Sequence, residues 1–519
     1  MAVHAPTRPD AVAKPRHRAD LVAAALLLAF VATAVVVCVW FEPLRQFGAK
    51  SFRNAPALFG EWPLLGTLHA HVGPGTPVVL VVAVAVAAWG PALAARLSWP
   101  RLLLAGYATA LVWTFGLALV DGWQVGVAAR LRTADEYLHE VPGITDIPAM
   151  LRGFTGRILD YQPDSWTTHV SGHPPGATLV FVWLDRIGLG GGAWAGVACI
   201  VVGCLTAVAV PVTIKELGAA RVARAAAPGT VNGFGWGGPA RAAVPGTVDG
   251  RGGADLAQAA AQGSGRSGLT RAAEPDRVME PGAEGFARAA VPFLALFPGA
   301  VWVGASADGL FAGVTTSGIA LLALGAARRR VLPCLAGGLL LGYGIFLSYG
   351  LLLLGAVALA VVLVTRSWRA LVLAAVAALA VFAVFSLAGF WWPDGYSLVV
   401  QRYYQGIGAI RPYSYWVWAN LACLAVVVGP AVAPGLRRAF ADRGRTSLPV
   451  VALAGAALVA VLAADVSGLS KAETERIWLP FAVWLVPLAA LLPASSRRWW
   501  LLGQAAVAIA VNHILVTSW

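Results

Sequence analysis

Apolar stretches of about 20 residues, the length that crosses about 30 Å of hydrocarbon, recur along this chain between short clusters of Arg, Pro, Gly or Trp. The first, Leu21–Phe41, follows a polar basic segment (Arg8, Lys14, Arg16, Arg18) and has no small-residue cleavage motif at its end. It reads as a retained helix rather than a signal peptide. Pro77–Ala95 and Leu102–Val120 follow. Short basic connections favour the cytoplasmic side. With the N-terminus inside, Arg96, Arg101, Arg328-Arg329-Arg330, Arg366 to Arg369, Arg437 to Arg445 and Arg497-Arg498 fall inside. The stretches Asp121 to Ser171, Ser306 to Gly309, Gly389 to Tyr415 and Asp465 to Arg476 then fall outside.

One region breaks the alternation. Ala177–Leu189 and Ala193–Thr213 both look helical, yet the basic run from Lys215 belongs inside. The first is shorter and ends in Asp185-Arg186, so a partial or re-entrant helix is expected there. The pattern predicts an all-α polytopic membrane protein with roughly 11–14 transmembrane helices, about thirteen crossings and the C-terminus outside.

Between Ala227 and Glu284 the apolar character gives way to Gly, Ala, Pro, Arg and Asp without period, which predicts a disordered insertion. It contains a near-duplication, residues 223–233 against 240–250, too little for a repeat architecture. The expected organisation is a cytoplasmic basic tail (1–20), an N-terminal membrane region (21–226) with an outer acidic loop (121–175), a cytoplasmic insertion (227–286) and a C-terminal membrane region (287–519).

Composition agrees with the pattern. Of 519 residues 59% are hydrophobic and 12% charged, and the mean hydropathy is +0.73, more apolar surface than a water-soluble globule buries. The net charge of +13 is spread over the connections, as the positive-inside rule requires, and does not indicate nucleic acid. The five cysteines (Cys38, Cys199, Cys204, Cys334, Cys423) lie in apolar segments without C-x-x-C spacing, so neither a disulfide framework nor a metal site follows.

The chemistry-bearing residues collect on the expected outer side. Asp135 and Glu136 are adjacent, about 100° apart if helical, and so have different roles. Thr133 with Glu136 three residues on fits a capping box, which leaves Asp135 free as a general base. Glu140, Asp146, Asp160 and Asp164 add carboxylates before Trp166. His173-Pro174-Pro175 suits the start of a helix, where prolines are tolerated and a phosphate is favoured. Asp308 lies at the outer end of a helix pair. Arg402-Tyr403-Tyr404, Arg411-Pro412-Tyr413 and the run Lys471 to Pro480 set cations among aromatics, a composition that fits a phosphate or an interfacial anchor.

In order, Asp135-Glu136, His173-Pro174-Pro175, Asp308 and Glu475-Arg476-Ile477-Trp478-Leu479-Pro480 resemble the GT-C superfamily of membrane glycosyltransferases. The likeness is to the family 39-like branch that holds protein O-mannosyltransferases and the lipid A aminoarabinose transferase. The resemblance covers most of the chain outside the insertion and the first two helices. It implies a GT-C-like bundle with outward-facing catalytic loops. The implied enzyme, in the plasma membrane, moves a hexose or pentose from a polyprenyl-phosphate donor to a hydroxyl on a glycan, lipid or protein acceptor, with inversion, in cell-envelope glycan or glycoprotein synthesis. It further implies Asp135 as base, with Glu136 and Asp308 in the catalytic set, and His173, Arg402, Arg411 and Arg476 at the donor phosphate. Tyr137, His169, Tyr403, Tyr404 and Glu475 would meet acceptor or sugar. Several carboxylates on one side leave room for a divalent cation, although no ligand spacing demands one.

A transporter or flippase of lipid-linked glycans is the first alternative, and a polysaccharide polymerase or ligase the second. Transporters place ionisable groups near the bilayer midplane and repeat broken helices in matched halves. Here charges sit at helix ends, and only Gly337-Gly338, Gly342 and Gly344 suggest a broken helix.

Overall fold

The computed structural model describes residues 17–40, 64, 66–225, 282–441 and 447–517. Of the two compact units, the first holds the described residues up to Val222 and from Gly282 onward. The basic tail to residue 16, and the expected disordered insertion as far as residue 281, lie outside the described residues. The predicted end of that insertion, 286, is too late. Helix Ala283–Ala295 already begins there, with Glu284 bonded to Arg288 one turn on at 3.0 Å and 3.4 Å from Lys215. The Ala- and Arg-rich composition runs across the boundary and hides it.

The first unit is built from helices. Seven among the described residues are long and apolar enough to cross a membrane: His17–Cys38, Thr76–Arg96, Trp99–Asp121, Gly192–Ala225, Asp308–Arg328, Trp368–Leu387 and Leu448–Val466. Their apolar side chains face outward as well as inward; Leu387 is 90% exposed, and Val372, Leu379 and Val384 are exposed on the same helix. Such surface has hydrocarbon as its natural solvent. Other apolar stretches are assembled from pieces. Tyr413–Val428 and Val432–Ala441 meet at 99°, where Gly429 takes φ +78° and Pro430 lacks an N–H. The interrupted backbone is satisfied by Gln504, whose amide donates to the Val428 carbonyl (2.8 Å) and accepts from Ala431 N–H (3.3 Å). The stretch Leu479–Leu491 is similarly divided into short turns, each with a proline in its first positions.

The two ambiguous stretches resolve as expected from charge. Pro175–Arg186 is a 12-residue helix ended at Gly188, about 18 Å long and too short to cross, whereas Gly192–Ala225 is long enough. The glycine-rich helix is a correction. Val331–Leu347 runs unbroken, and its glycines serve close packing. A Cβ on Gly338 would lie 2.3 Å from the Ala374 carbonyl, and one on Gly342 2.7 Å from Ala378 Cα. Small residues let two apolar helices approach backbone to backbone.

Charge separates the two ends of the bundle. At one, Arg328 pairs with Glu216 (2.6 Å), Lys215 lies 4.4 Å over Trp99, and Arg288 donates to the carbonyls of Ala94 and Leu97. Asp308, at the opposite end of the 21-residue helix Asp308–Arg328, is about 30 Å from Arg328 along the axis. A two-stranded clasp, Gly66–Leu68 antiparallel to Leu515–Thr517 with Gly66 opposite Thr517, joins remote parts of the chain.

Candidate active site

The segment before helix Pro175–Arg186 is a chain of short turns held by its own acids. Asp146 caps Ile147–Gly153 through Ala149 N–H (3.0 Å). Glu140 accepts from Thr167 N–H (3.1 Å) and from Arg157 (3.4 Å), and Arg157 stacks 3.4 Å over Trp166. Asp160 pairs with Arg402 at 2.6 Å and takes Gln405 Oε1 on its N–H, which fastens this segment to helix Trp392–Gln405. Arg402 thus belongs to a brace rather than to the Arg476 cluster.

The capping box is not formed. Glu136 opens the turn Tyr137–His139 without a side-chain cap. Its carboxylate is buried instead and lies 2.9 Å from His169 Nδ1. Asp135 is exposed, accepts from Thr168 Oγ1 at 2.8 Å, and gives its carbonyl to His169 N–H. Neighbouring carboxylates therefore divide the work, one inside and one at the rim.

Arg476 is the hub. Only 4% exposed, it donates from Nη1 to Asp308 Oδ2 (3.2 Å), and from Nη2 to Glu473 Oε2 (2.6 Å) and His169 Nε2 (3.0 Å). A guanidinium has no acceptor, so His169 Nε2 is a lone pair and its proton is on Nδ1, which lies 2.9 Å from Glu136 Oε1. His173 is fixed likewise. Its Nδ1 lies 2.9 Å from the His169 carbonyl, which only accepts, and 2.9 Å from Tyr137 Oη. Burial holds the His173 imidazole below its ordinary pKa. Tyr137, wholly inside, packs on His169, His173 and Phe181 with ring centroids 5.1 to 6.1 Å apart, so it positions imidazoles rather than offering a free ring face. Ser306 Oγ donates to Asp308 Oδ2 at 3.0 Å and fixes that carboxylate.

Glu473, unmarked in the sequence reading, is a central member. Its carboxylate bridges Arg476 and Arg411 (2.9 Å). Burial alone would raise its pKa, but Arg476 and then Arg411 outweigh burial and hold it at about 2. The i, i+3 spacing of Glu473 to Arg476 was a usable signal. Ala472 and Glu473 both take positive φ, +74° and +62°, a costly conformation for residues with a Cβ. It is held by Arg411 donating to the Lys471 carbonyl (2.6 Å) and by Asn420, which accepts from Ala472 N–H (3.2 Å) and donates to Asp465 (2.8 Å) and the Ser470 carbonyl (2.7 Å). At the edge, Tyr403 Oη accepts from Lys471 N–H (3.0 Å), and the Lys471 ammonium lies 5.7 and 5.4 Å from the Tyr403 and Tyr404 rings.

Glu475 differs from its neighbours. It is fully buried, with no hydrogen-bond partner for either oxygen. Burial, augmented by the Glu473 charge, pushes its pKa up to about 8, so it is a neutral acid at pH 7.

No protein-family model, curated protein or solved structure matches this chain.

The chemistry must therefore be read from the side chains. Among the described residues no three His, Cys, Asp or Glu groups gather to hold a metal ion, and the Asp308 carboxylate is engaged by Arg476 and Ser306. What the cluster offers is a preorganised, desolvated guanidinium backed by Arg411, two imidazoles in fixed tautomers, and one accessible carboxylate. Those parts suit a reaction in which negative charge develops on an oxyanion while a hydroxyl loses its proton.

Proposed function

We propose that this chain is a multi-pass membrane glycosyltransferase of GT-C type. It would move a sugar from a polyprenyl-phosphate donor to a hydroxyl acceptor at the bundle end that carries Arg476. The observation that carries the reading is the assembly around that guanidinium: Asp308 and His169, remote in sequence, converge on it beside its neighbour Glu473, with Glu136 behind His169.

A donor phosphate offers anionic oxygens like those of the carboxylates that Arg476 and Arg411 already hold. On binding it would replace one of them and take both Nη donors of the guanidinium as a fork. The acceptor oxygen attacks the anomeric carbon as the bond from that carbon to the phosphate oxygen breaks, and the configuration inverts. Asp135, exposed at the rim, takes the acceptor proton; the leaving lipid phosphate keeps the electron pair, stabilised by Arg476. Glu136, spent on His169, orients rather than reacts.

Roughly thirteen crossings with the N-terminus cytoplasmic would need shorter apolar helices, such as Val331–Leu347 and Leu479–Leu491, to cross beside the seven long ones and the bent pair. The site then faces away from the cytoplasm, where polyprenyl-phosphate sugars present their head groups to envelope acceptors. Transport is less well supported, because the buried charges sit at a helix end rather than near the midplane. The test is incubation of purified protein with a panel of radiolabelled polyprenyl-phosphate sugars and a hydroxyl acceptor. Transfer or donor hydrolysis that depends on Arg476 supports the reading. Inertness towards every donor refutes it.

A further inference from the structure

Phe181, which stacks on Tyr137 beside the ion cluster, also lines a separate cleft of ≈ 350 Å³ between the 132–142 segment and the helices that begin at Pro175 and Gly192. Leu138, Val141, Phe181 and Leu184 make its wall apolar, while Arg132 and Asp185 line the same space. Both charges are exposed, and among the described residues neither side chain is paired with the other or with a third group. Opposite charges that share a cleft without pairing leave room for a ligand bearing both signs.

The surroundings identify its kind. Trp183 and Trp194 lie on the two helices that wall the cleft and are 46% and 49% exposed, a pair of the sort found at the head-group level of a membrane. Pro175–Arg186, which forms one wall, is too short to cross and so leaves a gap at that level.

We propose that the cleft binds one zwitterionic glycerophospholipid of the phosphoethanolamine class. Its phosphate meets Arg132, its ammonium meets Asp185, and its acyl chains follow the apolar wall past the tryptophans. A primary ammonium donates hydrogen bonds to Asp185, whereas the quaternary ammonium of a choline lipid has none to give. An anionic glycerol head group offers Asp185 no positive partner. The bound lipid would buttress Phe181 and, through it, the Tyr137–His169 packing of the site. This inference rests on the multi-pass reading and is independent of the sugar chemistry.

The test is native mass spectrometry of delipidated protein in detergent, titrated separately with dioleoyl phosphatidylethanolamine, phosphatidylcholine and phosphatidylglycerol. One phosphatidylethanolamine should be retained at least about tenfold more tightly than either other lipid, a difference of about 1.4 kcal/mol. Arg132→Glu and Asp185→Lys should each abolish that preference; both sites are exposed, and equal thermal unfolding of the variants checks folding. Equal retention of the three lipids, or a preference unchanged in both variants, would overturn the proposal. A chain that stays in solution without detergent would instead sink the multi-pass reading itself.

Discussion

At the residue scale, the division between Asp135 and Glu136 follows from burial. An exposed carboxylate anchored by one hydroxyl remains available to a substrate; a buried one facing an imidazole does not. Asp135→Asn keeps the Thr168 hydrogen bond, since the amide oxygen still accepts, and removes only the base. Transfer should fall by about 10²- to 10⁴-fold with expression unchanged, and full activity in a radiolabel assay would remove Asp135 from that role. Arg476→Lys keeps the charge and loses the fork, so donor use should fall nearly as far as in Arg476→Ala. Glu475 has a signature in stability. Its carboxyl titrates near 4.5 when unfolded and about 8 when folded, so its contribution is complete below pH 4.5 and is lost as pH rises through 8. Glu475→Gln should therefore unfold at a higher temperature than wild type above pH 8, an advantage that shrinks on acidification. Thermal unfolding in detergent across that range gives the check, and parallel curves would contradict a buried neutral acid.

At the scale of elements, what the sequence makes legible and what it hides have physical causes. The expected helices from Leu21 and from Leu102 are found as His17–Cys38 and Trp99–Asp121, because an apolar run of that length has few other fates in hydrocarbon. The His173-Pro174-Pro175 helix start is found because prolines there have one natural position. The 99° break between Tyr413–Val428 and Val432–Ala441 leaves no mark in hydropathy, which is blind to proline turns and to distant side chains such as Gln504 that satisfy the interruption. The capping box failed because a Thr-x-x-Glu pattern says nothing about a histidine 33 residues further on that takes the carboxylate. Arg402 misled for a similar reason: its partner, Asp160, is remote in sequence. Glu473 was missed although its local spacing to Arg476 pointed to it. The strained turn at Ala472-Glu473 depends on Asn420. Asn420→Ala should leave the protein in the membrane but lower turnover on the order of 10²-fold through misplacement of Arg476, measurable as kcat in detergent. Unchanged turnover would show that the turn holds itself.

At the scale of the whole molecule, the Arg476 cluster and the Arg328–Glu216 pair lie at opposite ends of the bundle, and the proposed topology puts them on opposite faces of the membrane. The native cysteines are all buried, so introduced thiols can report accessibility alone. A membrane-impermeant maleimide should label Ser467→Cys in intact cells and Ser495→Cys only after lysis. Labelling of both from one side would break the topology. The resemblance that suggested sugar transfer rests on short motifs, and no relative adds to it; chemistry must decide. The most direct measurement is single-turnover transfer by purified protein from a panel of radiolabelled polyprenyl-phosphate sugars, with wild type beside Arg476→Ala. At least one donor should lose its sugar with inverted configuration in the wild type and remain intact in the variant. If every donor survives the wild type, or the two proteins consume a donor equally, the Arg476 cluster is not a glycosyl-transfer site.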